Sequence, residues 1–185
     1  MSYRPITDMW ILARPKLLDG KRYYGAYPAG FLERARALLG VNIFDPVLHV
    51  CGGLVRYYPY YGGFGSKDKT LDLDPETEPD FLWDARDEYP TAISTESDGW
   101  QAIIADPPYS EEEAKNYNVD SSKLPTPNII LKRSLEVLRE GGRVGILAWY
   151  APTCPKNGKF IAAIGVMVGF NNRIRLYSVY EKRSQ

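Results

Sequence analysis

The residues of this sequence that could do chemistry follow directly on short apolar segments. In chain order they are Gly52 and Gly53, Asp72, Asp84, and the group Asp106, Pro107, Pro108 and Tyr109. Glycines let a backbone approach a ligand closely. A carboxylate at the end of the next strand can accept hydrogen bonds from both hydroxyls of a ribose, and a further acid can bind the amino group of an adenine. The first three segment ends are therefore typical of a site for an adenosine-containing cofactor.

Each of these features is common when it occurs alone. Two glycines after a strand, or an acid at its end, more often make a turn or a solvated surface, and "CGG" lacks the GxGxxG spacing of dinucleotide-binding proteins. Their order on successive strands is what supports the interpretation as a cofactor site. Asp74 is an alternative ribose ligand if the acid is displaced along its strand.

The elements that must position these residues alternate between strands and helices. Helices are predicted at 28–39 and at 128–142, the second capped by Asn128 and ended by Gly141. Hydrophobic patterning predicts strands at 47–51, 70–75, 101–105, 143–149 and 173–182, and a further short apolar run at 81–83 ends in Asp84. Segment 160–168 is apolar enough for either a strand or a helix.

Several of the predicted strands are apolar on both faces, which favours a sheet with helices on each side. We therefore expect one α/β domain over residues 1–185, with a seven-stranded, mostly parallel sheet and one antiparallel strand. Ligands of such sheets bind beyond the carboxyl ends of the strands. The candidate residues all follow predicted strands, so we expect them to meet at that edge.

The segment "DPPY" at 106–109 resembles the catalytic motif of the class I amino-group methyltransferases, which act on exocyclic nitrogens of adenine or cytosine in nucleic acids. Other segments are similar to further motifs of that family, in the same order: "AYPAGFLERARALLG" to its N-terminal cofactor element with Tyr27 and Pro28, "VLHVCGG" to its glycine motif, "TLDLDP" to its ribose acid at Asp72, and "FLWDARD" to its adenine acid at Asp84. The resemblance covers 25–150 and implies a Rossmann-like fold with S-adenosyl-L-methionine as cofactor.

The resemblance also implies a role for each residue of the motif. The amine of adenine is a poor nucleophile because its lone pair is delocalised into the ring. The carboxylate of Asp106 and the backbone carbonyl of Pro107 would each accept one N–H and so localise that lone pair. Pro107 and Pro108 fix φ near about −65°, and Tyr109 can stack on the target base, worth roughly 1–3 kcal/mol. Positioning and electrostatics would supply most of the catalysis, without a metal ion or a cysteine nucleophile.

The substrate of such an enzyme has several candidates. Family members with DPPY mostly modify adenine N6, whereas serine is commoner at the first position of cytosine enzymes, so we favour adenine in DNA, as in phage-type enzymes. RNA is an alternative. Relatives that methylate a protein glutamine usually have asparagine where this chain has Asp106. The rival from another class is a non-catalytic module of the same fold that binds the cofactor or nucleic acid, which the reduced glycine motif favours and the intact DPPY opposes.

Three departures from the family pattern concern recognition. The glycine motif is reduced, and a loop at 54–69 stands where the family usually has a helix. No segment is long enough for a separate target-recognition domain, so recognition is loose, or comes from loops 54–69 and 110–127, or needs a second subunit as a homodimer or partner. Loop 54–69 could instead be an ordinary surface loop.

Composition limits the partners and the location. The formal net charge is zero, without the basic excess typical of nucleic-acid-binding proteins, and the basic residues near the N-terminus, which include Arg34 and Arg36, favour a solvated surface. The sequence has 14 tyrosines and 4 tryptophans, which suit base stacking as well as ordinary sheets. His49 is expected to be a satisfied polar side chain in a strand. Without a membrane-length apolar run or a secretory pattern, we expect a cytoplasmic protein of a bacterial or phage-infected cell.

Overall fold

The computed structural model describes residues 3–14, 27–57, 63–94, 99–110, 124–169 and 173–184. Its strands are β1 (Ile6–Leu12), β2 (Val47–Val50), β3 (Lys69–Asp72), β4 (Phe81–Leu82), β5 (Trp100–Ala105), β6 (Leu138–Ala148), β7 (Gly158–Val168) and β8 (Ile174–Lys182). Its helices are α1 (Phe31–Leu39), α2 (Thr91–Ser94) and α3 (Pro127–Val137). The strands form one sheet in the order β1-β7-β8-β6-β5-β2-β3-β4.

The sheet is parallel except where β8 pairs with β6 and β7. The predicted Rossmann-like α/β sheet with one antiparallel strand is therefore confirmed. The sheet has eight strands within the described ranges rather than seven, because β1 adds a parallel edge strand beside β7. Hydrophobic patterning missed β1 because most of its side chains, including Met9 and Ile11, are exposed. The segment therefore lacks the buried face by which a strand is predicted.

The first predicted helix is confirmed with a later start. Helix α1 begins at Phe31 because Gly30 precedes it in the left-handed region, with φ of 77°, and it ends at Gly40 as expected. Pro28 and Tyr27 lie before the helix, and both are buried. The buried face of α1 includes Phe31 and Ala35.

The cap and the end of the second predicted helix are wrong. Helix α3 is capped by Thr126, whose hydroxyl accepts a hydrogen bond from the Ile129 N–H at 3.3 Å, whereas the Asn128 side chain accepts from the Thr153 N–H at 2.8 Å. The helix stops at Val137, where β6 already begins at Leu138.

Gly141 therefore lies inside strand β6 and does not end a helix. Its φ of 72° and the register shift between Trp100 and Ala102 mark an irregular start of the strand. A Cβ on Gly142 would come within 2.8 Å of the Trp100 carbonyl oxygen, so Gly142 serves close strand packing, whereas Gly141 serves the positive φ. The ambiguous segment 160–168 is a strand, within β7.

Both faces of the central strands are buried. Helix α1 packs its Phe31 and Ala35 on the face that carries Val47, Ala102 and Ile104. On the other face, the buried side of α3, with Ile130, Leu131 and Leu135, packs on Leu48, Ile103 and Val144. This arrangement explains why β2 and β5 are nearly continuous apolar runs. In the described ranges no helix is long and apolar enough to cross a membrane.

A buried charge network joins α1, β2 and the segment before β3. The Asp68 carboxylate accepts hydrogen bonds from the Arg36 guanidinium and from the N–H of Gly65, and it lies 3.1 Å from Nε2 of His49. His49 is therefore a polar side chain in a strand with a partner for Nε2, as predicted, whereas its buried Nδ1 has no hydrogen-bond partner among the described residues. Arg36 is 3% exposed, so the expectation that it lies on a solvated surface is wrong. Asp68 neutralises its charge and fixes the end of loop 54–69 to the fold.

Candidate active site

The predicted site residues meet at one edge of the sheet. Gly52 and Gly53 follow β2, and Asp72 is the last residue of β3. Asp84 comes shortly after β4, and Asp106 comes directly after β5. Because these four strands are parallel, their carboxyl ends lie side by side. The chain thus places each predicted strand-end residue on the edge where α/β sheets bind ligands.

The turn after β2 is tight and is held by the neighbouring strand. The Cys51 N–H donates to the Leu71 carbonyl at 2.9 Å, and the Gly53 N–H donates to Oδ2 of Asp72 at 2.8 Å. Gly53 has φ of 49°, which favours glycine. A Cβ on Gly52 would lie 3.1 Å from the His49 carbonyl oxygen. The two glycines are therefore required by the shape of the turn, whether or not a ligand approaches it.

Asp72 is the better placed of the two acids after β3. Besides the Gly53 N–H, its carboxylate accepts a hydrogen bond from the Asp74 N–H at 3.0 Å. Burial is the main cause that raises the pKa of the Asp72 carboxyl. The Asp74 side chain instead caps the short 3-10 turn Pro75–Thr77 by accepting from the Glu76 N–H at 2.9 Å. Each carboxylate oxygen of Asp72 has a second lone pair, so Asp72 can hold the turn and still accept from a ligand hydroxyl.

Asp84 is fixed by its own short loop. Its carboxylate accepts from the backbone N–H of Arg86 at 2.9 Å and pairs with the Arg86 guanidinium. The hydrogen bond from the Arg86 side chain is the main cause that lowers the pKa of Asp84. The Trp83 N–H donates to the Asp72 carbonyl at 3.0 Å, which ties this loop to the end of β3. Asp84 is thus an ionised acceptor beside Asp72.

The three acids converge on the turn after β2. The pKa of the Cys51 thiol is raised well above its ordinary value, first by burial and then by the negative charges of Asp72, Asp106 and Asp84. A thiol feels these charges only when they are close to it. The predicted cofactor acids and the predicted catalytic acid stand at the carboxyl ends of β3, β4 and β5, at one edge of the sheet, although they lie far apart in the sequence.

The DPPY segment begins against the same turn. The Asp106 N–H donates to the Val50 carbonyl at 3.3 Å, so the start of the segment is anchored to the last residue of β2. The Tyr109 hydroxyl donates a hydrogen bond to Oδ1 of Asp106. Burial, followed by the charge of Asp106, raises the pKa of Tyr109 well above its ordinary value. Tyr109 therefore stays a neutral phenol that caps the predicted catalytic carboxylate.

Two side chains contact the ring of Tyr109. Trp149 meets it edge-on, with 5.8 Å between ring centroids and 80° between planes, and the Arg175 guanidinium lies 5.0 Å from its centroid. Tyr27, before helix α1, stacks on Phe31 with centroids 5.2 Å apart. The contact of Tyr27 and Pro28 with a cofactor stays a prediction.

Sequence reasoning missed the side chains on the β6 and β8 side of the site. Trp149 and Tyr150, 45% and 47% exposed, directly follow β6, and Arg173 and Arg175 lie at the start of β8. The signal was present in "AWY" and "RIR": two aromatic residues at a strand end, and two arginines on one face of a strand. The antiparallel pairing of β6 and β8 that joins them cannot be inferred from either segment alone.

Solved structures with the same fold place the chain among known architectures. TrmN from Thermus thermophilus aligns with a TM-score of 0.57 and 19% identity over 86% of this chain and 50% of TrmN. A mutant of MtNAS in complex with S-adenosylmethionine aligns with a TM-score of 0.50 and 9% identity over 83% of this chain and 60% of MtNAS. An rRNA methylase from Streptococcus thermophilus aligns with a TM-score of 0.47 and 11% identity, covering 82% and 95% of the two chains.

The similarities to TrmN and to MtNAS show a shared fold. The chain spans about half the length of TrmN. Neither a protein-family model nor a curated protein sequence matches it.

Proposed function

We propose that this chain is an S-adenosyl-L-methionine-dependent methyltransferase that acts on the exocyclic amino group of a nucleic-acid base, with adenine N6 in DNA as the preferred target. One observation carries the proposal: Asp106 is bonded through its N–H to Val50, next to the turn that Asp72 holds through Gly53. The predicted cofactor acid at the end of β3 and the predicted amine-binding acid after β5 therefore lie on the two strands that flank β2, at the edge where methyl transfer would need both ligands to meet.

The cofactor half of the site would be formed by Gly52, Gly53, Asp72 and Asp84. Asp72 offers acceptors to ribose hydroxyls, and Asp84 offers one to an adenine amino group. A protein of the same fold, MtNAS, has been crystallised with S-adenosylmethionine, which supports this choice of cofactor. When bound, that cofactor supplies an electrophilic methyl group on a sulfonium.

The amine half of the site would be formed by the DPPY segment. Asp106 and the Pro107 carbonyl accept the two N–H groups of the target amine, so that its lone pair is directed at the methyl group. The methyl group would come from the cofactor, and the proton that the methylated amine loses would pass to solvent. The Tyr109 hydroxyl donates to Oδ1 of Asp106 in the structure, so it competes with the amine for this oxygen.

The alternatives to this proposal differ in the groups that they would need at this site. RNA would present the same amine, and the residues of the site do not separate it from DNA. A protein glutamine amide is disfavoured by the acid at position 106. A non-catalytic module would bind the cofactor through Asp72 and Asp84 without methyl transfer, and the anchored Asp106 argues against it. A homodimer or a partner subunit is a candidate source of additional target recognition.

The experiment offers labelled S-adenosyl-L-methionine together with unmethylated duplex DNA, single-stranded DNA and RNA, and identifies the modified nucleoside by mass spectrometry. We expect N6-methyladenine in DNA. N6-methyladenine in RNA alone would move the proposal to the RNA alternative. Cofactor binding without transfer to any polymer would contradict the proposal and favour a protein substrate or the non-catalytic module.

A further inference from the structure

We propose that the aromatic–arginine patch, defined as Trp149, Tyr150, Arg173 and Arg175, binds an unpaired nucleic-acid segment beside the target base. In this arrangement the arginines hold the backbone phosphates, and Trp149 stacks on a base next to the target. The inference rests on the proposed function for the position of the target base, and it adds the substrate form: a single strand or an opened duplex.

The sheet topology builds the patch at the catalytic edge. Strand β8 runs antiparallel to β6, with Leu176 opposite Ala148. The start of β8 therefore lies beside the carboxyl end of β6, where Trp149 and Tyr150 follow. Arg175 is the second residue of β8 and Arg173 directly precedes the strand, and their guanidinium groups lie near the rings of Tyr109 and Trp149, respectively.

The patch is continuous with the predicted amine site. Arg175 lies 5.0 Å from the centroid of Tyr109, and Arg173 lies 6.0 Å from the centroid of Trp149. Trp149 in turn contacts Tyr109 edge-on, and Tyr109 bonds Asp106. Alternating guanidinium groups and aromatic rings thus lead from solvent to the carboxylate. Proteins that bind single strands combine cations for the backbone with aromatic rings for the bases.

Charge divides the carboxyl edge into two halves. The half over β2, β3 and β4 carries Asp72 and Asp84, whereas the half over β6 and β8 carries Arg173 and Arg175. A polyanion is attracted to a local positive region even when the whole protein is neutral. The chain has no net charge, so its polymer contact is expected at this half of the edge and not over a broad surface.

The exposure of the rings favours unpaired bases. Trp149 and Tyr150 are each nearly half exposed, and a ring stacks only on a base whose face is open. A paired duplex presents phosphates but keeps its base faces covered. Two patch arginines would also bind a duplex only weakly. Each neutralised phosphate releases about one counterion, so two phosphate contacts contribute little to the binding free energy.

The test measures binding of a short fluorescent single-stranded DNA by anisotropy over a range of salt concentrations, without cofactor. Two phosphate contacts predict a slope of log affinity against log salt of about −1.4, a roughly sevenfold loss between about 50 and 200 mM salt. Arg175→Gln should halve the slope. Arg139→Gln, an exposed arginine at the other end of β6, is the matched control and should leave it unchanged.

The stacking step is tested separately. Trp149→Ala should weaken binding roughly 5- to 150-fold with an unchanged salt slope, and Trp149→Phe should retain most of the affinity. Thermal unfolding of each variant verifies that the fold is intact. An Arg173→Gln, Arg175→Gln double variant with the wild-type slope would overturn the inference, as would a matched duplex that binds more tightly than the single strand.

These outcomes separate the inference from the proposed function. If the patch variants bind like wild type while the wild-type enzyme methylates DNA, the inference fails and the proposed function stands. If the patch variants lose binding but wild type transfers no methyl group to any polymer, the inference stands and the proposed function fails.

Discussion

Replacing Tyr109 by phenylalanine tests whether its hydroxyl competes with the target amine for Asp106. In the structure the hydroxyl donates to Oδ1 of Asp106, one of the acceptors that the proposed reaction needs. The substitution removes this hydrogen bond but keeps the ring, which Trp149 meets at 5.8 Å and Arg175 at 5.0 Å. We therefore expect a phenylalanine that still stacks on a base and leaves the carboxylate open.

The size of the effect follows from the bond that is removed. A hydrogen bond to a charged group contributes about 1.5–3 kcal/mol, and each 1.36 kcal/mol corresponds to about a factor of 10. If breaking this bond is part of substrate binding, Tyr109→Phe should raise kcat/KM for the polymer by about tenfold, mainly through a lower KM. In the variant, water replaces the hydroxyl on Asp106 and must itself be displaced by the amine. The gain in kcat/KM therefore stays near tenfold, the lower end of the range.

The assay is steady-state methyl transfer at saturating cofactor with varied polymer. Tyr109→Ala is the control, because it removes the ring as well as the hydroxyl and should lower kcat/KM roughly 5- to 150-fold below that of Tyr109→Phe if the ring stacks on the base. A Tyr109→Phe enzyme that is slower than wild type would refute the reasoning, because the hydroxyl would then assist the reaction instead of blocking it.

The other predictions concern the cofactor, the buried charges and the sheet. Asp72→Ala removes the proposed ribose acceptor and the partner of the Gly53 N–H, so calorimetry should show at least about tenfold weaker cofactor binding; unchanged affinity would argue against this acid. Asp68→Asn should lower the free energy of unfolding by about 3–5 kcal/mol at neutral pH, because it leaves Arg36 buried without its charge partner. Burial opposes ionisation of Asp68, but the hydrogen bonds from His49 and Arg36 hold its pKa below the ordinary value of 3.8. Its stabilising effect is therefore complete above that value and lost as the pH falls through the folded-state pKa, so urea titrations should show the difference between wild type and variant shrinking in acid. Gly145→Ala would place a Cβ 1.9 Å from the Tyr177 hydroxyl oxygen. The substitution should lower the free energy of unfolding by about 1–3 kcal/mol, which a lower melting temperature would show.

Local sequence patterns were enough to predict the edge of the sheet at which the candidate residues meet. Gly52, Asp72 and Asp106 each follow a strand whose apolar run is visible in the sequence, and parallel strands bring their carboxyl ends together. Helix α1 was predicted for the same reason, since Phe31 and Ala35 show its buried face and Gly40 its end. These features depend on neighbours along the chain, or on one general property of parallel sheets.

The features that were missed depend on contacts between distant segments. Arg36 was predicted to lie on the surface because its partner Asp68 is distant in the sequence, in the loop that follows β2. Asn128 and Thr126 are both good helix caps. The Asn128 side chain accepts a hydrogen bond from the Thr153 N–H instead, and Thr126 caps the helix. The patch arginines meet Trp149 only through antiparallel pairing of β6 and β8. A sequence read one segment at a time does not contain these pairings.

The most direct test of the account is methyl transfer by Asp106→Asn at saturating cofactor, with cofactor affinity measured on the same preparation. Asparagine keeps the size of the side chain but removes the negative charge that would bind the amine. We predict that transfer falls roughly 100-fold or more, while the cofactor dissociation constant stays within about twofold of wild type. Transfer at the wild-type rate would contradict the central claim that Asp106 activates the target amine.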